Sequence, residues 1–356
     1  MHGNQGPLPH GRARMPIYLY QEYAVKIRRS IFSALVLLVT LPVTVWAQKD
    51  TLLPPGADNT TIWHGVYLPA KRTIKASQIL NFEQTAGKKV GVAMYYVGWY
   101  INAWADVQRQ INVWEPMGIK THVVWEPRLK GGKDPLEAIE NGSQDAIIKD
   151  FAAKAKAYGQ PFFLRFAHEM NGDWYPWSGF NTGGATNVGP AKYVSAWQRV
   201  WWIFKLEGAD NVVWVWAPNW KSVPDKPWNA LQSYYPGNMY VDWVGVDFYG
   251  LRWDNESVAT NLAAVSAYAY KPIMVAETSA ADCANYYSGV TPIEAKANWI
   301  KELFTEIEVP TTNVRAVFWF NENKTGEADW TLDSCPSPAT RNAYRDGIGD
   351  ARYKSR

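Results

Sequence analysis

The chain has 356 residues, 47% of them hydrophobic and 19% charged, a globular balance that excludes disordered, collagen-like and coiled-coil classes. Of its 36 basic and 33 acidic residues, five basic (Arg12, Arg14, Lys26, Arg28, Arg29) and one acidic (Glu22) lie in residues 1–47, so the rest carries a net charge of −1 and offers no basic face for nucleic acid. The composition also holds 20 Trp against 12 Phe, a surplus that suits flat ligands met by flat rings.

Taken in chain order, the first feature is a leader. Lys26, Arg28 and Arg29 precede an apolar run from Ile31 to Val45, and Val45-Trp46-Ala47 closes it with small residues at signal-peptidase spacing. The pattern predicts a secretory signal over 1–47, and so a secreted, periplasmic or extracellular location with no membrane attachment after cleavage. An uncleaved N-terminal anchor is the competing reading. Residues 48–64 read as a lead-in arm. From Gly65 onward, β-rich apolar runs alternate with helical patterns: Gly65–Leu68, Val90–Val97, Thr121–Trp125, Phe162–Ala167, Val212–Ala217, Trp243–Phe248, Ile273–Ala276 and Val314–Phe320. Helices are expected near 76–86, 102–116, 143–158, 190–207, 257–269, 291–308 and 336–347, with a Pro- and Trp-rich loop over 220–240. Strands without strict alternation, separated by helices, are parallel and covered on both faces. Eight such units predict a single (β/α)8 TIM-barrel domain over 65–350. The rival doubly wound sheet normally carries a Gly-x-Gly-x-x-Gly turn, and none is present. Cys283 and Cys335 fall in the exported part, where an oxidising compartment permits a disulfide between them; two free thiols are the alternative.

In such a barrel the chemistry sits on the loops after the strands. The predicted strand ends carry Tyr96 and Trp99, then Trp125-Glu126, His168-Glu169, Pro218-Asn219, Asp247 and Tyr249, Glu277, and finally Trp319 and Asn321. Carboxylates, amides and aromatics gathered at one end suit an uncharged, polyhydroxylated ligand, because rings cover C–H faces while carboxylates and amides bind hydroxyls. Glu169 and Glu277 end the fourth and seventh strands, across the barrel mouth from each other, the disposition in which one carboxyl group protonates a glycosidic oxygen while the other attacks the anomeric carbon. Either residue alone reads more readily as a capping or ion-pairing group; the pair, each preceded by an apolar strand and flanked by aromatics, favours the catalytic reading.

The block Ala167-His168-Glu169-Met170-Asn171-Gly172-Asp173-Trp174, with Asp247-Phe248-Tyr249-Gly250, Ala276-Glu277-Thr278 and Trp319-Phe320-Asn321, resembles glycoside hydrolase family 26 over roughly Gly65 to Asp333. The resemblance implies a (β/α)8 barrel of retaining endo-glycanases acting on β-mannan, mixed-linkage β-glucan or β-1,3-xylan. It maps the acid/base to Glu169, the nucleophile to Glu277, the adjacent histidine to His168, the nucleophile's tyrosine to Tyr249 and a sugar platform to Trp174. Where the family's mannanases show Trp-His, this chain has Trp125-Glu126-Pro127, closer to its β-glucanases. That change alters the hydrogen-bonding pattern offered to a ring hydroxyl, so mixed-linkage β-1,3-1,4-glucan is favoured over mannan. The alternatives are an endo-β-1,4-mannanase, or a catalytically dead barrel that binds or exports polysaccharide.

The remaining expectations concern single residues. Glu169 must rest protonated, in an apolar setting supplied by Phe166 and Trp174 or under the charge of Glu277. Arg165 points inward, where it pairs with a carboxylate below the site or keeps Glu277 ionised. His168 contacts substrate or packs a helix, and Asp173 and Asp247 support the site rather than react. Trp99, Trp174, Trp177, Trp220 and Trp319 are candidate sugar platforms, whereas Trp201, Trp202, Trp214 and Trp243 are expected in the core. Neither a metal nor another cofactor is expected, since the part after the leader holds only His64, His122 and His168 and lacks His-Glu-x-x-His. The protein is expected to be a monomer.

Overall fold

The computed structural model describes Leu52 and residues 61–251, 256–281, 292–335 and 337–356. Eight parallel strands close into a barrel: β1 (Ile62–Tyr67), β2 (Val92–Val97), β3 (Lys120–Trp125), β4 (Phe162–Phe166), β5 (Val212–Trp216), β6 (Trp243–Gly250), β7 (Ile273–Ala280) and β8 (Val314–Phe320), each paired with the next. β8 returns to β1 with Trp63 opposite Ala316 and Tyr67 opposite Phe320. The helices between them are α1 (Ala76–Ala86), α2 (Trp104–Trp114), α3 (Pro135–Glu140), α4 (Asp145–Tyr158), α5 (Gly179–Gly183), α6 (Val188–Glu207), α7 (Val258–Ala263), α8 (Pro292–Ile307) and α9 (Pro338–Ile348).

Alternation along the strands divides the apolar residues into two cores. Val92, Met94, Val124, Phe163, Val215, Met274 and Phe318 fill the barrel, and Gly65 lies so close to Phe318 that a Cβ would meet its ring at 2.4 Å. Residues of the opposite parity, such as Trp125, Phe166 and Trp319, pack outward against the helices. Helix ends follow local chemistry: Asp134 caps α3 by accepting from the Leu136 and Glu137 amides, and α6 stops at Gly208 in the left-handed region (φ 77°).

Three expectations on extent are corrected. β1 begins at Ile62, inside the expected arm, and a short strand β11 (Tyr353–Lys354) pairs with its start, beyond the expected end at 350. The expected helix over 257–269 breaks after Ala263 into a single 3-10 turn, and the 220–240 loop contains three such turns. A small hairpin, β9 (Asn323–Lys324) with β10 (Ala328–Asp329), follows the last barrel strand. Cys335 is buried; its expected partner Cys283 lies outside the described residues, as does the leader.

Candidate active site

The site begins where β4 runs out. Ala167 and Glu169 both adopt left-handed backbone, at φ 47° and 51°, which costs a non-glycine residue about 1–3 kcal/mol. The turn is clamped by the neighbouring strands: the Ala167 amide donates to Trp125 O at 3.1 Å and the Glu169 amide to Ala217 O at 2.9 Å. This kink brings Glu169 to the mouth and leaves His168 buried beside it. The Asn171 side chain ties the loop to the one after β5, donating to Asn219 O at 2.8 Å and accepting from the Asn219 amide at 2.9 Å. Gly172 is required here, because a Cβ would meet the Trp174 indole at 2.5 Å. The indole folds back over it and donates from Nε1 to Glu169 Oε2 at 2.7 Å.

Glu277 reaches the site through an irregularity in β7. Val246 pairs with Val275 but Asp247 pairs with Glu277, so one extra residue, Ala276, is accommodated. Simple alternation would aim Ala276 and Glu277 to opposite faces; the bulge lets both face the barrel interior. There Glu277 Oε1 accepts from the Tyr96 hydroxyl and from Arg165 Nη2, and Oε2 accepts from the Tyr249 hydroxyl at 2.7 Å. Arg165, fully buried, donates from Nη1 to both oxygens of Asp247 at 2.8 Å. It therefore holds both roles left open for it, pairing below the site and supporting Glu277. One oxygen each of Glu169, Asp247 and Glu277 lies within 4.8 Å of the others, and the Arg165 guanidinium bridges two of them, Asp247 and Glu277.

The two glutamates are driven in opposite directions. Burial, reinforced by the charge of Glu277, pushes Glu169 up to about 8, against the pull of the Trp174 N–H and of Arg165. Burial would also raise Glu277, yet Arg165 foremost, followed by His168 where its ring is charged and by the Tyr96 and Tyr249 hydroxyls, brings it down to about 2. His168 Nε2 lies 3.8 Å from Glu277 and 3.0 Å from the Tyr175 hydroxyl. Burial and the nearby Arg165 hold His168 well below its usual range, so it meets Glu277 as a neutral ring and the stabilising charge is that of Arg165. At neutral pH the two glutamates face each other, Glu169 protonated and Glu277 ionised.

The carboxylates open into a cleft of about 560 Å³ whose walls include Trp174, Tyr175, Trp220, Tyr249, Lys324 and Glu327. Trp174, 44% exposed, and Trp220 are the expected platforms that the fold places there. Others are corrected. Trp125 is stacked between Trp99 and the α4 residue Phe151, with centroids 4.1 and 4.3 Å away. Trp319 packs on Tyr344 of α9, and Trp177 is buried against Tyr175 with its N–H on His168 O. All four indoles, Trp99 included, are buried, Trp125 and Trp319 against helix residues and Trp177 against the loop residues His168 and Tyr175. Phe166 turns the same way, toward Trp99 and Trp197, and does not line the cleft. Trp202, expected in the core, is 48% exposed. The Asn321 side chain accepts from the Leu332 amide at 2.8 Å and so braces a loop. Glu126 pairs with Arg128 at 3.2 Å and is absent from the cleft lining. Asp247 lies behind Glu277 rather than in the cleft. Sequence reasoning placed Tyr96 at a strand end without a role and gave none to Tyr175, Lys324 or Glu327. The aromatic pair Tyr95-Tyr96 at the end of β2 was the available signal for the first.

The profile described as Glycosyl hydrolase family 26 matches residues 138–308. The chain is 32% identical over 288 residues to "Endoglucanase H" of Acetivibrio thermocellus, a match covering 77% of this chain and 29% of that protein. It is 36% identical over 128 residues to "Mannan endo-1,4-beta-mannosidase A and B" of Caldalkalibacillus mannanilyticus, covering 35% of this chain and 20% of that protein. The chain thus spans less than a third of the length of these curated relatives. Among solved structures, a Cellulomonas fimi endo-beta-1,4-mannanase double mutant shares the fold, with a TM-score of 0.63 at 17% identity over 87% of this chain and 76% of that one.

Proposed function

We propose, on the premise that the chain belongs to glycosyl hydrolase family 26, that it is a retaining endo-β-glycanase, acting after export on a β-1,4-linked plant-type polysaccharide. The observation that carries this reading is the pair of glutamates with opposite protonation: Glu169 held up to about 8 and Glu277 down to about 2. One oxygen of each lies within 4.8 Å of one oxygen of the other, which supports the closer of two spacings. Inverting enzymes keep their carboxyl groups about 6.5–9.5 Å apart to admit a water between them, and retaining enzymes about 5–5.5 Å. In the reading proposed, Glu277 attacks the anomeric carbon while Glu169 protonates the departing oxygen. Glu169, now ionised, then takes a proton from the water that hydrolyses the glycosyl-enzyme. Tyr249 orients the nucleophile from the cleft side. Trp174 and Trp220, on the loops after β4 and β5, provide ring faces beyond the carboxylates, which supports binding within a chain rather than at its end.

Mixed-linkage β-1,3-1,4-glucan is proposed ahead of β-mannan. The match to the relative named an endoglucanase runs over 77% of this chain, against 35% for the mannosidase. The leader of three cations followed by an apolar run supports export. Hydrolysis of a panel of soluble β-glucans and mannans, with the anomer first released followed by NMR, tests substrate and stereochemistry together; an α product from a β linkage refutes retention. Glu169→Ala separates the two roles. It should still react with an aryl glycoside whose leaving group needs no proton, while polysaccharide turnover collapses, and azide should restore turnover as the β-glycosyl azide. Glu277→Ala should be inactive on both. Equal loss of both substrates in Glu169→Ala, with no azide rescue, moves the acid/base role elsewhere.

A further inference from the structure

The two oxygens of Glu277 are held differently. Oε1 has two donors, the Tyr96 hydroxyl and Arg165 Nη2, whereas Oε2 has one, Tyr249 at 2.7 Å. Tyr249 and Glu277 line the cleft; Tyr96 and Arg165 do not. Oε2 is therefore the oxygen on the substrate side and Oε1 the one turned to the barrel interior. Tyr96 has little freedom to do anything but donate. Its hydroxyl already accepts from Arg165 Nη2 at 3.3 Å, which leaves its proton for Glu277. Its ring is wedged edge-on against Tyr67 at 5.0 Å and His168 at 5.8 Å. Arg165 is immobilised in turn by its two bonds to Asp247.

We infer that Tyr96 is a positioning residue that, together with Arg165, fixes Oε1 as the non-attacking oxygen of Glu277 and thereby sets how readily the glycosyl-enzyme breaks down. The inference rests on the double-displacement reading above. In the first half-reaction Oε2 forms the bond to the anomeric carbon, the leaving oxygen takes the proton of Glu169, and Glu277 loses its charge. The donors on Oε1 then face a neutral ester and their hold weakens. In the second half-reaction water attacks the anomeric carbon and its proton passes to Glu169. The electron pair of the C–Oε2 bond returns to Glu277, and the donors on Oε1 meet full negative charge again. A donor on Oε1 therefore makes Glu277 a better leaving group without making it a better nucleophile. Burial keeps the Tyr96 phenol protonated throughout, since it raises the hydroxyl well above its ordinary range.

The test is Tyr96→Phe, which removes one oxygen and keeps the ring against Tyr67 and His168. With dinitrophenyl cellobioside, kcat should fall about tenfold, the size expected for a lost hydrogen bond to a charged group, and KM should fall in step. The ratio kcat/KM, which reports the first half-reaction, should stay within about twofold. Glycosyl-enzyme should accumulate, seen as a burst of dinitrophenolate and as an adduct in the mass of the quenched protein. A parallel fall in kcat and kcat/KM without accumulation overturns the inference and leaves Tyr96 a packing residue. Trapping the unmutated protein with an activated fluoro-sugar distinguishes the other failure. An adduct on Glu277 upholds double displacement whatever Tyr96→Phe does, and its absence overturns that reading and this inference with it.

Discussion

Trp174 gives the sharpest way to perturb the proton on Glu169 without touching the carboxyl group itself. Its Nε1 donates to Glu169 Oε2 at 2.7 Å, a bond that favours the ionised carboxylate and so opposes the burial that raises Glu169 to about 8. Trp174→Phe keeps an aromatic face in the cleft and removes the donor. A hydrogen bond to a charged group contributes about 1.5–3 kcal/mol, and about 1.4 kcal/mol corresponds to one pH unit in a titration. Because Trp174 is 44% exposed, water competes for the donor and the lower end of that range applies. Glu169 in the variant should therefore titrate roughly one pH unit higher. As the proposed proton donor it works protonated, so activity should fall as pH rises through its titration, and the alkaline limb should move up by that amount. The assay is kcat/KM on a soluble β-glucan from about pH 5 to about pH 10, which reports the free enzyme. Weaker stacking lowers the whole curve but does not displace the limb. A limb that stays in place or moves down refutes the assignment of Glu169 as the proton donor governed by Trp174.

Removing the ionisable group should stabilise the fold. The unfolded Glu169 carboxyl titrates near ~4.3 and the folded one at about 8. Between these values unfolding releases a proton, and stability falls as pH rises. Glu169→Gln should thus exceed the unmutated protein by about 3–4 kcal/mol at pH 7 and by almost nothing at pH 4, read from denaturant midpoints; an equal gain at both pH values contradicts the linkage. Arg165→Met strips the guanidinium shared by Asp247 and Glu277 and should cost about 3–5 kcal/mol of folding stability, as broken buried pairs do; chemical denaturation giving less than about 1 kcal/mol means that water already screens the cluster. Glu126→His should leave the ratio of glucan to mannan activity within about twofold, because Glu126 engages Arg128 rather than the cleft. A tenfold shift in that ratio restores sugar recognition to this position.

What the sequence determined alone was the architecture and the carboxylate pair. Continuous apolar runs separated by helix-period segments have few ways to bury both faces, and a closed parallel barrel is the one without edges. The strand borders accordingly lay within a few residues of those seen, with β8 matching at both ends. Glu169 and Glu277 were legible because each interrupts an apolar strand end with a charge that packing does not need.

Which side each neighbouring residue faces was decided only in three dimensions. Alternation assigns side chains along a regular strand, but it fails at a bulge and at a strand's last residue, where the site is built. The register shift at Ala276 turns Glu277 inward, and the left-handed turns at Ala167 and Glu169 carry the Glu169 carboxyl group to the mouth. Neither has a sequence signature beyond the residues themselves. The indoles show the same limit from the other side. Trp125 and Trp319 sit at strand ends as Trp174 sits in a loop, all three suit a sugar by composition, and only packing against Phe151 and Tyr344 commits the first two to the core. The electrostatics are likewise collective. Tyr96, Arg165 and Tyr249 come from three strands, β2, β4 and β6, and no spacing along the chain reveals that they meet at a single carboxylate. The low titration of Glu277 therefore belongs to the closed barrel, which brings those donors together and so overcomes the burial that would raise it.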